Sequence, residues 1–394
     1  MKEVVIVESV RTAIGRLGGS LKDSPEDQLG ALVVGEVLAR AGVKGAEVDE
    51  VIMAYQHRSG DVVFNAARQW ALKAGLPEEV PNFTINKHCG SSLKSINLGA
   101  QAIRAGDADV VLCGGVNIMS RAAYLLRGTR WGWGRPGHQQ VIDQLVLLDP
   151  ISGFVMGETG DNVAERFQIT REDQDQWALM SQQRAARAIK EGRFKGQIVP
   201  VELPGKKGKA PEIFDEDEHP RPNTTLEGLA KLKPIFRKEG TVTAGNACGM
   251  NDAAASALLM SENKAKALGV KPCARIISYA SVGVEPAIMG IGPVPATQKA
   301  LARAGMTIDQ MDVIELNEAF ASQTLYCVRE LGMDPEKVNP NGGAIALGHP
   351  IAATGAVLMT KLLHEIRSRK LRYGLATLCM GGGLGIATIV EGIH

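Results

Sequence analysis

The stretch Leu38-Ala39-Arg40-Ala41-Gly42 returns as Leu301-Ala302-Arg303-Ala304-Gly305, and self-similarity of this kind bears on the fold before any single motif does. Each copy reads as the end of a helix closed by glycine. Working outward, Val48-Asp49-Glu50-Val51-Ile52 falls in step with Met311-Asp312-Val313-Ile314 as an apolar strand at nearly the same offset. In the first copy Phe83-Thr84-Ile85 leads into Cys89-Gly90 and a helix whose Leu93, Ile96, Ala100 and Ile103 share one face. The second copy answers with a loop reaching Gly348-His349 and a helical stretch through Val357, Leu358, Leu362 and Ile366. Both helices feed an apolar strand with glycines at its end: Val110-Val111-Leu112-Cys113-Gly114-Gly115 in one copy, and Leu375-Ala376-Thr377-Leu378-Cys379 before Gly381-Gly382-Gly383 in the other. Strand, helix and strand in alternation predict parallel-rich sheets covered by helices, hence two similar α/β halves.

On this reading residues 1–116, rejoined by 250–271, form the N-terminal half and residues 272–394 the C-terminal half. Residues 117–249 match nothing in the other copy and contain the charged, proline-rich run from Lys206 to Pro222. They read as an inserted loop or lid domain, a common seat of function.

Composition narrows the field. A chain of 394 residues that is 45% hydrophobic can bury large cores. With 44 basic against 43 acidic residues the formal charge is +1, so no overall field attracts nucleic acid, and an anionic ligand needs a local cluster of donors. The cysteines at 89, 113, 248, 273, 327 and 379 show no metal-ligand or disulfide spacing. A reducing, cytoplasmic setting is expected. The N-terminal run carries Glu3 and Glu8 and reads as a strand, not a signal peptide; no apolar stretch reaches the about 18 residues a membrane helix needs.

Chemistry concentrates in the duplicated loops. Cys89 lies between a strand and a helix start, where backbone N–H groups and the helix dipole favour a thiolate, although a cysteine taken at random is more often a small buried hydrophobe. His349 holds the equivalent place in the second copy, within Asn341-Gly342-Gly343-Ala344-Ile345-Ala346-Leu347-Gly348-His349-Pro350. If the halves pair about a pseudo-twofold, the two loops face each other and His349 can activate Cys89. Cys379 ends the last core strand before Gly381-Gly382-Gly383, a backbone able to offer N–H donors to an oxyanion.

With these residues in hand, the chain resembles the thiolase family throughout its length. The matching segments are Asn86-Lys87-His88-Cys89-Gly90-Ser91, Gly240-Thr241-Val242-Thr243-Ala244-Gly245-Asn246, Asn317-Glu318-Ala319-Phe320, the run from Gly342 to His349, and Cys379-Met380-Gly381-Gly382-Gly383. The resemblance implies a five-layered α-β-α-β-α fold of two duplicated halves with a loop domain between them. It implies acyl transfer between coenzyme A thioesters: Cys89 carries the acyl group, His349 activates it, and Cys379 moves the α-proton of acetyl-CoA. Asn317 would hold a water that binds the enolate oxygen with His349, and the N–H groups of Cys89 and Gly381 would form a second oxyanion site. Coenzyme A would lie on Arg221, Phe236, Ala244 and Cys248, and the acyl group among Met156, Met289 and Phe320. No metal or redox cofactor is implied. The partners are acetyl-CoA, CoA and a 3-ketoacyl-CoA, with acetoacetyl-CoA favoured over longer or decorated chains, and the assembly is a homodimer or homotetramer.

Several residues depart from the family's usual pattern. His88 replaces a small or apolar residue, Asn117 a glutamate and Cys248 a serine that would bond the pantetheine more strongly than a thiol can. Val155 stands where histidine is common, and Trp131 and Trp133 add bulk to a polar loop. Alternation of side chains at a strand end predicts that His88 faces away from the substrate. A decarboxylating ketosynthase would place histidine or asparagine where Cys379 stands. A non-catalytic acyl-CoA carrier would not need Cys89, Asn317, His349 and Cys379 together, and a redox dithiol would pair Cys89 with Cys379.

Overall fold

The structure, a computed structural model, describes residues 2–56, 64–132, 137–205 and 210–394. Trp133 and Lys206 lie outside the described residues. The duplicated pentapeptides are one cap used twice. Helix α1 (Glu26–Ala41) ends at Gly42 with φ 66, and Val43 N–H returns to the Leu38 carbonyl at 3.0 Å. A later helix, Pro293–Ala304, ends at Gly305 with φ 65, and Met306 N–H returns to the Leu301 carbonyl at 3.0 Å. Both are six-to-one closures that need a left-handed residue, and glycine supplies it without a Cβ penalty.

The strands β1 (Val4–Thr12), β2 (Glu50–Tyr55), β3 (Asn82–Ile85), β4 (Val110–Ile118), β5 (Asn251–Ser261), β6 (Ala274–Gly283), β7 (Val313–Leu316), β8 (Tyr373–Met380) and β9 (Leu384–Gly392) hydrogen-bond in the order β7-β8-β9-β6-β1-β5-β4-β2-β3. The halves correspond strand for strand. In the first, β2 runs parallel to β3 and β4, while β5 is antiparallel to both β4 and β1. In the second, β7 is parallel to β8 and bridges Val338, while β9 is antiparallel to β8 and β6. The sheets are thus mixed where alternation predicted a parallel-rich pattern. A tight turn through Gly381-Gly382-Gly383 sends β9 back beside β8, and a hairpin can only be antiparallel. Between the halves, β1 and β6 pair at Val5–Arg275 and Ile6–Ala274 alone.

Helices α2 (Ala66–Lys73), α3 (Ser91–Ala105), α4 (Met156–Arg166), α5 (Arg171–Lys190), α6 (Pro293–Ala304), α7 (Ala321–Leu331) and α8 (Thr354–Arg369) complete the layers. α3 and α8 form the middle one. Leu93, Ile96 and Ile103 of α3 share a single core with Val357, Leu358, Leu362 and Ile366 of α8 and with strands of both halves. Their first turns interlock: Ala356 N–H donates to Ser92 Oγ at 2.9 Å, and a Cβ on Gly355 would overlap the Leu93 backbone. Residues just before these helices are therefore carried to one place.

Candidate active site

Cys89 lies immediately before Gly90, the cap of α3. The preceding turn is held by Ser91 Oγ, which accepts from Lys87 N–H at 2.7 Å and donates to the His88 carbonyl at 2.6 Å. Gly90 favours glycine, because a Cβ there would overlap the Met380 side chain at the end of β8 and push it aside. That contact brings the Cys89 turn against Cys379, Met380 and Gly381. The Cys89 sulfur receives hydrogen bonds from Gly381 N–H and from its own N–H, but burial outweighs both and pushes the thiol up to about 11. Cys89 itself is only half-buried, and desolvation against the two N–H groups sets the thiol above its ordinary value, opposite in direction to the thiolate expected from the helix start.

His349 is fixed from both sides. Its N–H donates to Asn251 Oδ1 at 3.0 Å, and the Asn251 carboxamide fills the space a side chain on Gly348 would need. Its Nδ1 lies 2.7 Å from Thr354 Oγ1, whose single hydrogen goes to the Pro350 carbonyl at 3.0 Å. Thr354 is left only lone pairs for the imidazole. The tautomer that satisfies this arrangement carries its proton on Nδ1 and leaves Nε2 free as a base. Burial pushes the His349 pKa down to about 4, so the ring is neutral at ordinary pH. Asn117 reaches the same loop, its Oδ1 accepting from Ala352 N–H at 3.0 Å.

Cys379 is fully buried, and burial pushes its thiol well above the usual range; the nearby Cys89 raises it further, as does Cys248. It packs with Val242, Met289, Ala319 and Phe320, and Met156 closes this small cluster. All three of the sequence-predicted acyl-pocket residues thus stand beside the second thiol. Asn317, at the end of β7, is fully buried, and neither end of its carboxamide has a protein partner among the described residues. Both ends remain able to bond a water or substrate.

The coenzyme A candidates lie further out. Cys248 is half-buried and its N–H donates to the Ala319 carbonyl at 2.9 Å, next to Phe320. Phe236 is 38% exposed with its ring on Gly157, beside Met156, so it is a rim residue and not core. Ala244 is exposed. Arg221 is also exposed and lines a hollow of about 350 Å³ with Arg16, His219 and Met250, and Met250 bridges His349. A hollow of about 400 Å³ at the β1–β6 seam, lined by Lys266, Arg275 and Glu391, lies on other elements, and its charges pair among themselves. Among the described residues no His, Cys, Asp and Glu group could hold a metal ion.

Reading the sequence missed Thr354, Asn251 and Ser92, whose partners are remote or were not yet placed. Glu318 was visible only as part of a motif. Its buried carboxylate accepts from Trp177 Nε1 at 3.1 Å, Ser181 Oγ at 2.7 Å, Asn339 Nδ2 at 2.9 Å and Ile345 N–H at 3.2 Å, tying the Asn317 turn to the loop that carries His349.

A duplicated, five-layered α/β chain with thiols gathered where its halves meet defines a class, the thiolase-like enzymes. Residues 4–263 match the family described as thiolase, N-terminal domain, and residues 270–392 the family described as thiolase, C-terminal domain. The chain is 53% identical over 390 residues to an acetyl-CoA acetyltransferase of Pseudomonas aeruginosa, covering 98% of each chain. It superposes with a TM-score of 0.97 on the Bacillus anthracis acetyl-CoA acetyltransferase at 45% identity, covering 100% of this chain and 99% of that one. A human mitochondrial 3-ketoacyl-CoA thiolase in complex with CoA gives a TM-score of 0.96 at 42% identity, covering 100% of this chain and 98% of that one. The chain belongs to the thiolase family.

Proposed function

We propose that this thiolase transfers acyl groups between coenzyme A thioesters through a Cys89 thioester, condensing acetyl-CoA or cleaving a 3-ketoacyl-CoA. The observation that carries the reading is the convergence of α3 and α8, which sets Cys89 and the loop of His349 together and aims Gly381 N–H at the Cys89 sulfur. His349 Nε2 takes the Cys89 proton as sulfur attacks the thioester carbonyl, then gives it to the departing CoA thiolate. The N–H groups of Cys89 and Gly381 hold the oxyanion. In the second half-reaction Cys379 passes its own proton to His349 Nε2 and, as the thiolate, takes the α-proton of acetyl-CoA. The burial that makes this thiolate hard to form also makes it a strong base, which a weakly acidic α-carbon needs. The carbanion attacks the Cys89 thioester, and the Cys89 sulfur leaves with the proton held by His349, while Cys379 keeps the α-proton and is again a thiol. Asn317, through a bound water, and His349 stabilise the enolate. Thiolysis is the reverse.

Arg221, Phe236, Ala244 and Cys248 receive the coenzyme A arm, in keeping with their outward course from Cys379 to the hollow at Arg221. Met156, Met289 and Phe320 enclose the acyl group, and two methionine walls suit short chains such as acetoacetyl-CoA. The residues use no metal or redox cofactor. Six free cysteines fit a reducing cytoplasm, and no described helix is long and apolar enough to cross a membrane. A homodimer or homotetramer has candidate faces in the open edge of β3 and in the exposed side chains of Tyr124 and Val141, and light scattering reads the mass.

Mass spectrometry after mixing with acetyl-CoA tests the chemistry. An acetyl group on the Cys89 peptide is expected, with ping-pong kinetics. Adduct on Cys379 alone, with Cys89→Ala still active, would reverse the roles of the thiols.

A further inference from the structure

The chemistry above leaves His88 unused. It has φ 50, uncommon for a residue with a bulky side chain, and its N–H donates to Asn86 Oδ1 at 3.0 Å while Ser91 holds its carbonyl. The alternation of a strand does not apply to such a turn, and the ring lies along Gly381 and Gly382 instead of facing away. A methyl built on Gly381 would stand 3.2 Å from Met156 Sδ and 4.0 Å from His88 Cγ; one on Gly382 would stand 3.8 Å from Ile151 Cδ1 and 4.0 Å from His88 Nε2. The space over the two glycines is therefore walled by His88 on one side and by Met156 and Ile151 on the other. Gly381 is also the residue whose N–H reaches the Cys89 sulfur, so this space opens beside the thioester.

Met156 and Ile151 are apolar, and the exposed ring of His88 has no protein partner on either nitrogen among the described residues, so water holds it in the free enzyme. We propose that His88 is a specificity residue whose imidazole favours 3-ketoacyl-CoA substrates with a tail ending in a carboxylate or other hydrogen-bond acceptor. The assignment rests on the thiolase reading of the site. An alkyl tail laid over Gly382 strips water from an imidazole and gives nothing in return, whereas an acceptor satisfies the ring nitrogen that faces it. The bare glycines leave the width such a tail requires.

The test compares thiolysis of two six-carbon 3-ketoacyl-CoAs, one ending in methyl and one in carboxylate, with acetoacetyl-CoA as the tail-free reference. In His88→Leu the ratio of kcat/KM for the carboxylate-ended over the methyl-ended substrate should fall about 10-fold or more. His88→Gly, which suits the φ 50 turn and removes the ring, should give the same fall, and His88→Gln, which restores a hydrogen-bonding group, should recover part of it. A ratio within twofold of the unsubstituted enzyme in both ring-free variants overturns the assignment. Failure of the unsubstituted enzyme to cleave any of the three substrates would instead sink the thiolase reading itself.

Discussion

Replacing Thr354 by valine tests how the imidazole is set. The two side chains are nearly the same shape, so the change removes one oxygen from a buried site. That oxygen accepts from His349 Nδ1 at 2.7 Å and donates to the Pro350 carbonyl at 3.0 Å. Without it, a buried Nδ1–H is left unpaired, or the ring moves its proton to Nε2, where it can no longer take the Cys89 proton. An orphaned buried donor costs about 1–3 kcal/mol, equivalent to roughly 5- to 150-fold in rate if the loss falls on the acylation step. Rapid-quench mass spectrometry of acetyl-Cys89 formation reads that step directly. Thr354→Ser, which keeps the hydroxyl, should stay within a few-fold of the unsubstituted enzyme. Thr354 acts through His349, so Thr354→Val should also shift the acid limb of the acylation pH profile, which a purely structural loss would leave in place. Acylation by a folded Thr354→Val within twofold of normal, with an unchanged profile, would refute the tautomer assignment.

Acylation should hold level from about pH 5 to about pH 10, because His349 is a neutral base above about 4 and Cys89 stays protonated to about 11. An acid limb near the ordinary histidine value in a single-turnover profile would show that the ring is not desolvated. Lys361→Met removes the ammonium now 2.7 Å from buried Glu315; burial already pushes the Glu315 pKa up to about 7, so the acid is left neutral, and a loss of about 1–3 kcal/mol in urea unfolding is expected, with unchanged stability meaning that the pair is not dry. Gly90→Ala forces Met380 from its seat and should cost about 1–3 kcal/mol of stability together with much of the acylation rate, since Gly381 follows Met380. A variant that melts normally would show that the seam has slack.

The duplication was legible because both copies end in the same glycine cap, a local signal that needs no tertiary information. The central helices were legible from their apolar spacing. Strand direction was less so: Gly381-Gly382-Gly383 was read as a donor loop, and a donor loop that is also a hairpin reverses the strand that follows. The state of Cys89 was half legible. Helix start and N–H donors can be read from the residues around it, but its partial burial comes from the second half packing against the turn, Met380 on Gly90 among its contacts. Thr354, Asn251 and Ser92 carried no signal because serine, threonine and asparagine occur everywhere, and only the fold says which of them faces an imidazole or a helix start.

The duplicated halves are not chemically equivalent, and that asymmetry explains how the site is kept in register. One half supplies the thiol before α3, and the other supplies the imidazole before α8 and the glycine turn after β8. Of the two N–H groups on the Cys89 sulfur, one comes from each half, so this pairing exists only while the halves stay aligned. Ties across the seam hold that alignment: Gly90 against Met380, Ser92 to Ala356, Asn117 to Ala352 and Asn251 to His349. Each fixes backbone, and none depends on the identity of an acyl tail. His88, Ile151 and Met156 project from this frame without forming any of these ties. The departures from the family pattern divide along the same line. Asn117 forms one of the ties and is constrained by them, whereas His88 is anchored through its backbone alone, so exchanging its ring leaves the Cys89 turn in place.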